Sequence, residues 1–438
     1  MNTALRTLWP ALLLASQLLN LPAGQASELL ELPEGQTMGT TYHIRVVGPA
    51  AERSTELQTE IDRLLLKVNQ QMSTYDPESE VSRFNAYRGT DSFPVSSHTA
   101  RVTARALEIS ALSGGAFDPT VGPLVELWNF GKGRMAPRIP TDAEIAERQK
   151  RVGYENLHVQ LDPPALQKDL PDLEVDLSAI AKGFGVDVCA EWLVTQPDIT
   201  GGMVEIGGEV RTFGSKPDGT PWRISILKPV EHTVETYRVV ELESESLATS
   251  GNYRNFFEIG GVRYSHTIDP TTGRPVTHQL VSVSVLAEDC MTADGMATAL
   301  TVMGFEKGLA LAERLGLATY LIAANDGQLI EQSSTAAVGR FQPPPAPAAE
   351  PVTGDSPWLT VLLTIIVFAI ALCGLGIGVI LSNRQLKGTC GGLQGLKDAS
   401  GQSMCELCKT PKEECEEFRK QIAQTATGSN NEPPEAAG

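Results

Sequence analysis

A mixed α+β domain, followed by one apolar helix and a small cysteine-rich tail, is the architecture that this sequence predicts. Three observations predict it. Strand-like alternation and helix-like spacing interleave over residues 27–342, without any fixed-period repeat. Residues 343–357 are rich in Pro and Ala, as in an extended spacer, and residues 358–381 then run for 24 positions without a charged side chain. Of the seven cysteines, only Cys189 and Cys290 precede residue 340, so the large domain has no disulfide framework and the thiols gather near the C-terminus.

Length and composition agree with this division. The 438 residues, 42% of them hydrophobic and 20% charged, exceed the roughly 150 of one domain and allow a large packed core. The formal net charge of −18 argues against a nucleic-acid surface, which needs the opposite sign. Any phosphate has to be met locally or through a cation.

Residues 1–26 have the layout of a secretory signal: Arg6, an apolar run from Leu8 to Leu19, and the small residues Gly24 and Ala26 before a cut. An uncleaved anchor is the alternative, and it places the next segment on the same side. Residues 39–47 then alternate as a strand, and residues 54–72 carry Leu57, Ile61, Leu64, Leu65 and Val68 at helical spacing. A second helix is expected over residues 97–113, stopped by Gly114-Gly115. Strands follow at residues 203–206, 222–227 and 281–286, helices at 292–303 and 307–315, and a closing strand at 319–323.

The uncharged run at 358–381 exceeds the roughly 20 residues that cross a bilayer. Trp358 stands at one end, and Arg384 and Lys387 lie just past the other. Read as a single span of a bacterial inner membrane, it places residues 382–438 in the cytoplasm and the large domain in the periplasm. A buried core helix is the alternative. Within the tail, Cys390, Cys405, Cys408 and Cys415 could close around Fe or Zn, with a redox pair or incidental thiols as the other readings.

Chemistry concentrates at residues 174–188. Val175 and Leu177 alternate with Glu174 and Asp176 as in a short strand, and a tight turn then feeds a helix. Such a turn can cradle a phosphate, with Lys182 as a mobile cation and Asp176 as an acceptor for a ligand hydroxyl or ring nitrogen. The bland reading is an ordinary strand-to-helix connection with one snorkelling lysine. Asp294 and Thr298 stand i, i+4 on an expected helix, so that their oxygens share a face and suit a hard cation such as Mg²⁺, completed by a backbone carbonyl. Against that, Thr298 could bond back to its own helix and Asp294 could cap its start.

Several blocks occur in order: Met38-Gly-Thr-Thr, Ser73-Thr-Tyr, Gly115-Ala-Phe-Asp, Asp176-Leu-Ser-Ala-Ile-Ala-Lys-Gly, Ile206-Gly-Gly-Glu, Ser250-Gly-Asn-Tyr, His266-Thr-Ile-Asp-Pro and Ala293-Asp-Gly-Met-Ala-Thr. Over residues 36–332 the chain thereby resembles the FAD:protein FMN transferases of the ApbE family. The resemblance implies Mg²⁺-dependent transfer of the FMN half of FAD to a Ser or Thr hydroxyl of another flavoprotein, releasing AMP. It implies FAD contacts at Met38, Tyr75, Ala116, Phe117, Asp118, Asp176, Lys182 and Ile268, and a metal held by Asp294, Thr298 and the Ala179 carbonyl, with Ala297 nearby. Asp294 and Lys182 would serve the diphosphate. His266, with an ordinary pKa of about 6.5, is the expected base for the acceptor hydroxyl, unless it only bonds a neighbouring backbone group.

The tail is similar to NqrM, a maturation factor of the sodium-translocating NADH:quinone reductase. That implies a flavoprotein subunit of this reductase, or of a related complex, as acceptor, and a role for the tail in iron delivery. Two rivals remain: a membrane-tethered FAD-binding module without activity, and a FAD pyrophosphatase.

Overall fold

The computed structural model describes residues 28–48, 51–132, 137–230, 233–253, 255–325, 327–345 and 357–382. The signal expected at 1–26, residues 346–356 of the spacer and the four tail cysteines lie outside the described residues. Two compact units divide between Pro345 and Ala346.

The first unit is built on a nine-stranded sheet whose neighbours all run antiparallel. Its order is Leu29–Glu31, Thr40–Val47, Gly201–Ile206, Glu209–Phe213, Ser246–Gly251, Leu280–Ala287, Ala318–Asn325 and Gln328–Ser333, with Gly35–Thr37 folded back on Thr40–Val47. An all-antiparallel sheet with helices packed against it makes the class α+β. The helices Ser54–Met72 and Ser97–Ser113 fall where their apolar spacing puts them, and the second ends on Gly114 in the left-handed region at φ 63°. Helix Cys290–Met303 begins two residues before its expected start, because Asp289 caps it by accepting from the Thr292 N–H at 2.8 Å.

Two helices form the centre of the core. Ala181–Val194 and Cys290–Met303 are buried almost all round, pack on each other and lie against the middle strands. Gly183 sets their approach: a Cβ there would come within 2.4 Å of the Cys290 carbonyl oxygen.

The strand expected at residues 174–177 does not form. This stretch pairs with no other strand, and side chains satisfy its backbone instead. Asn85 clasps Val175 from both sides, its Nδ2 donating to the Val175 carbonyl at 2.8 Å and its Oδ1 accepting from the Val175 N–H at 2.7 Å. The Asp176 N–H donates to the Pro119 carbonyl at 2.7 Å, and the buried Lys168 ammonium donates to the carbonyls of Phe84 and Leu173. Asp176 is therefore held in a fixed extended loop.

The second unit contains helix Pro357–Ser382, 26 residues long. Its side chains are described only over residues 361–373, and among the residues so described no helix is long and apolar enough to cross a membrane. The expected span at 358–381 therefore rests on its sequence.

Candidate active site

A cavity of about 550 Å³ opens on the first unit, within the roughly 300–1,000 Å³ typical of small-molecule sites. Lys182 reaches it from the first turn of Ala181–Val194, and Asp294 and Thr298 from Cys290–Met303. Glu209 comes from the sheet. Gly207 and Gly208, at φ 61° and 105°, make the two-residue hairpin turn that only glycine adopts readily, and Glu209 opens the returning strand opposite Ile206.

These elements place one ammonium between two buried carboxylates. Lys182 Nζ hydrogen-bonds Glu209 Oε1 and lies 3.8 Å from Asp294 Oδ1, while Asp294 Oδ2 accepts from the Gly183 N–H at 3.0 Å. Burial would depress the Lys182 pKa, but Asp294 and Glu209 hold it above the ordinary lysine range. Burial pushes Glu209 up to about 7 against the pull of Lys182, and raises Asp294 as well. The centre sets two carboxyl groups against one ammonium.

Glu209 Oε2 is buried without a hydrogen-bond partner, and the Thr298 hydroxyl has none among the described residues. Three residues on, by contrast, Thr301 bonds back to the Ala297 carbonyl at 2.7 Å. Neither bland reading of the i, i+4 pair applies: Asp289, not Asp294, caps the helix, and Thr298 does not bond back to it. Two carboxyl groups against one ammonium, with oxygens left unused, fit a hard cation. Among the described residues no three His, Cys, Asp or Glu side chains form a metal cluster. The expected set of one carboxylate, one hydroxyl and the Ala179 carbonyl is a different kind of site.

His266 lines the same cavity, half-buried. Its Nδ1 lies 3.0 Å from the Asn255 carbonyl oxygen, which can only accept, so Nδ1 carries the proton and Nε2 is left as the basic nitrogen. Burial lowers its pKa below the usual imidazole range. The bond to a backbone group, expected as the alternative to a base, is the device that fixes the basic tautomer.

The other expected residues divide. Tyr75, exposed, and Asp176, Ala179 and Ile268 all line the cavity. So do Ala116, Phe117 and Asp118, but both Asp118 oxygens are occupied, Oδ1 by the Thr120 N–H and hydroxyl of its own loop and Oδ2 by the N–H of Tyr154, 36 residues on. Asp118 thus braces the wall. Met38 and Ala297 are absent from the lining: Met38 sits on the 37–40 turn with its side chain near Gly185, and Ala297 is buried in the core. Sequence reasoning missed Glu209, for which the acid directly after the Gly207-Gly208 turn is the signal.

Fold and cavity together define an α+β domain with a small-molecule site built around a cationic and acidic centre. Comparison with known proteins narrows this. The chain belongs to the ApbE family, whose model matches residues 38–321. It is 49% identical over 300 residues to the FAD:protein FMN transferase of Vibrio cholerae, covering 68% of this chain and 89% of that protein. It is 43% identical over 326 residues to that of Haemophilus influenzae, covering 73% and 93%. The solved structure of the flavin transferase ApbE from Vibrio cholerae superposes with a TM-score of 0.66 at 47% identity, over 71% of this chain and 98% of that one. Transfer of FMN from FAD to protein is accordingly the enzymatic class of this chain. A second family model, (Na+)-NQR maturation NqrM, matches residues 379–427.

Proposed function

We propose that the periplasmic domain transfers FMN from FAD to a Ser or Thr hydroxyl of a membrane-complex subunit, with Mg²⁺ held by Asp294, Thr298 and the Ala179 carbonyl. The observation that carries this reading is the Lys182–Glu209–Asp294 centre with its unpartnered carboxylate oxygen, in one cavity with a histidine in its basic tautomer. When bound, the cation neutralises diphosphate charge and orients it for in-line attack.

The chain's own residues supply the rest. His266 Nε2 takes the proton of the acceptor hydroxyl, whose oxygen bonds to the FMN phosphorus. The anhydride bond from that phosphorus to the bridging oxygen breaks, and AMP leaves with that oxygen. Lys182 places its charge beside the leaving phosphate. Tyr75, Asp176 and Ile268 position FAD, with Ala116 and Phe117 contributing the wall that Asp118 braces. Met38 and Ala297, which the resemblance also implies, would act from beyond the described lining.

The 24 uncharged residues at 358–381, flanked by Arg384 and Lys387, support a single inner-membrane span with the tail in the cytoplasm. The NqrM match supports a subunit of the sodium-translocating NADH:quinone reductase as acceptor. On this reading Cys390, Cys405, Cys408 and Cys415 handle iron for the same complex from its other face.

The test is incubation of the full chain in detergent with FAD, Mg²⁺ and the flavin-bearing reductase subunit, followed by denaturation. Covalent flavin fluorescence is expected, abolished by Asp294→Ala. His266→Ala should lower transfer far more than FAD binding, and equal losses in both would remove it as the base. Release of free FMN and AMP without labelling would make the protein a FAD pyrophosphatase. Intact FAD with a competent acceptor would leave a binding module.

A further inference from the structure

A protein acceptor has to bring its hydroxyl into the cavity, and one wall of the cavity is a strand edge. Trp222–Leu227 is the last strand of a three-stranded sheet in which Thr236–Leu242 is central and Phe341–Gln342 lies on the far side. One of its edges is taken, in a register running from Leu242 opposite Trp222 to Thr236 opposite Leu227. The other edge has no strand partner among the described residues.

Four consecutive residues of this strand, Ile224, Ser225, Ile226 and Leu227, line the cavity. Successive side chains of a strand leave from opposite faces. A cavity that meets four in a row therefore runs along the edge, where unpaired N–H and C=O groups project. The faces confirm this view: Trp222 and Ile226 are buried in a core cluster and Ile224 packs against it, while Ser225 is exposed on the other side. Open edges are commonly blocked by charge, proline or a covering element. Here Arg223 is the strand's one charged residue, and the prolines stand outside it at 221 and 229, so a short segment of open edge remains.

We propose that this free edge receives the acceptor polypeptide as an added strand, paired main chain to main chain, which carries the Ser or Thr hydroxyl toward His266. The proposal rests on the FMN-transfer reading above. Main-chain pairing supplies binding that depends little on acceptor side chains and leaves selectivity to alternate positions, those that face the cavity.

The test uses the full chain in detergent with Mg²⁺ and FAD, and amide hydrogen exchange at single-residue resolution. The ligand is the flavin-bearing reductase subunit with its flavinylated hydroxyl residue changed to Ala, so that the encounter complex persists. Exchange should slow by about tenfold or more at alternate amides of the Trp222–Leu227 strand, those facing the open edge. Unchanged exchange there, or slowing without alternation, overturns the proposal provided the unaltered subunit is flavinylated. Slowing by FAD alone assigns the edge to the dinucleotide, and slowing that follows enzyme concentration assigns it to a second copy. Either result overturns the proposal. Failure of the unaltered subunit to gain covalent flavin defeats instead the reading on which it rests.

Discussion

Two buried aspartates each reach across the central helix pair to the start of the other helix, and they are used in opposite ways. Asp187, on Ala181–Val194, accepts from the N–H groups of Cys290 at 2.9 Å and Met291 at 2.8 Å, and pairs with Arg211 at 2.6 Å. Asp294, on Cys290–Met303, accepts from one N–H of the other helix and stands 3.8 Å from Lys182. Each helix thus anchors the other's start through a carboxylate. Asp187 spends its acceptor capacity on the fold, whereas Asp294 keeps some for a ligand. A buried group whose bonding is complete holds structure, and one left with capacity marks chemistry.

The largest test of this contrast is Asp294→Asn. Transfer should fall by about 10²–10³-fold, as for loss of a charged group that acts on the transition state. Urea or thermal unfolding should show little change in stability, because an asparagine oxygen can still accept from the Gly183 N–H while its NH₂ stands where Lys182 is 3.8 Å away. A large loss of stability would put Asp294 in the same class as Asp187.

Asp187→Asn should do the reverse. Whichever way the amide turns, its NH₂ meets a backbone N–H or the Arg211 guanidinium, and a buried donor is left without an acceptor. A loss of about 1–3 kcal/mol in unfolding free energy is expected. Transfer by the folded fraction should fall far less than for Asp294→Asn; a comparable fall with unchanged stability would break the contrast.

The threonines of the same helix repeat the comparison on a smaller scale. Thr298→Val should raise the Mg²⁺ concentration needed for half-maximal transfer by about tenfold, or about 1.4 kcal/mol, with stability unchanged. Thr301→Val removes only the bond back to Ala297 and should leave the Mg²⁺ requirement alone. Equal Mg²⁺ dependence in the two variants would count against Thr298 as a ligand.

The smallest effect concerns His266, whose Nδ1 is satisfied and whose Nε2 has no hydrogen-bond partner among the described residues. A base must be neutral to take a proton, so the rate falls as pH drops through its pKa. Burial sets that pKa below 6.5, and the acid limb of the transfer rate should lie below pH 6.5. A limb above that value would assign it to another group, such as Glu209, which burial pushes up to about 7.

Much of this molecule follows from local sequence. The helices Ser54–Met72 and Ser97–Ser113 and the strand Trp222–Leu227 lie at the residues their spacing indicates, because periodicity and end signals act within one element. The Asp294 and Thr298 pair was legible for the same reason, since i, i+4 positions share a helix face. The ordered motif blocks carried the family, and with it the enzymatic class.

Tertiary structure alone decided which groups were already satisfied. Alternation at residues 174–177 reads as a strand, yet Asn85, 90 positions away, takes the place of a neighbour. Asp118 and Asp176 look alike as acids beside a turn, but the Thr120 and Tyr154 groups occupy both oxygens of the first, whereas the second has only its Oδ1 engaged, by the Ser178 N–H at 2.9 Å, among the described residues. Glu209 becomes part of the centre only because a two-glycine turn returns it to Lys182, 27 residues earlier in the chain. That no further strand among the described residues pairs with the second edge of Trp222–Leu227 is likewise decided by the rest of the fold. The physical reason is one of range: propensity and spacing are set by neighbours in sequence, while hydrogen-bond satisfaction and burial are set by neighbours in space.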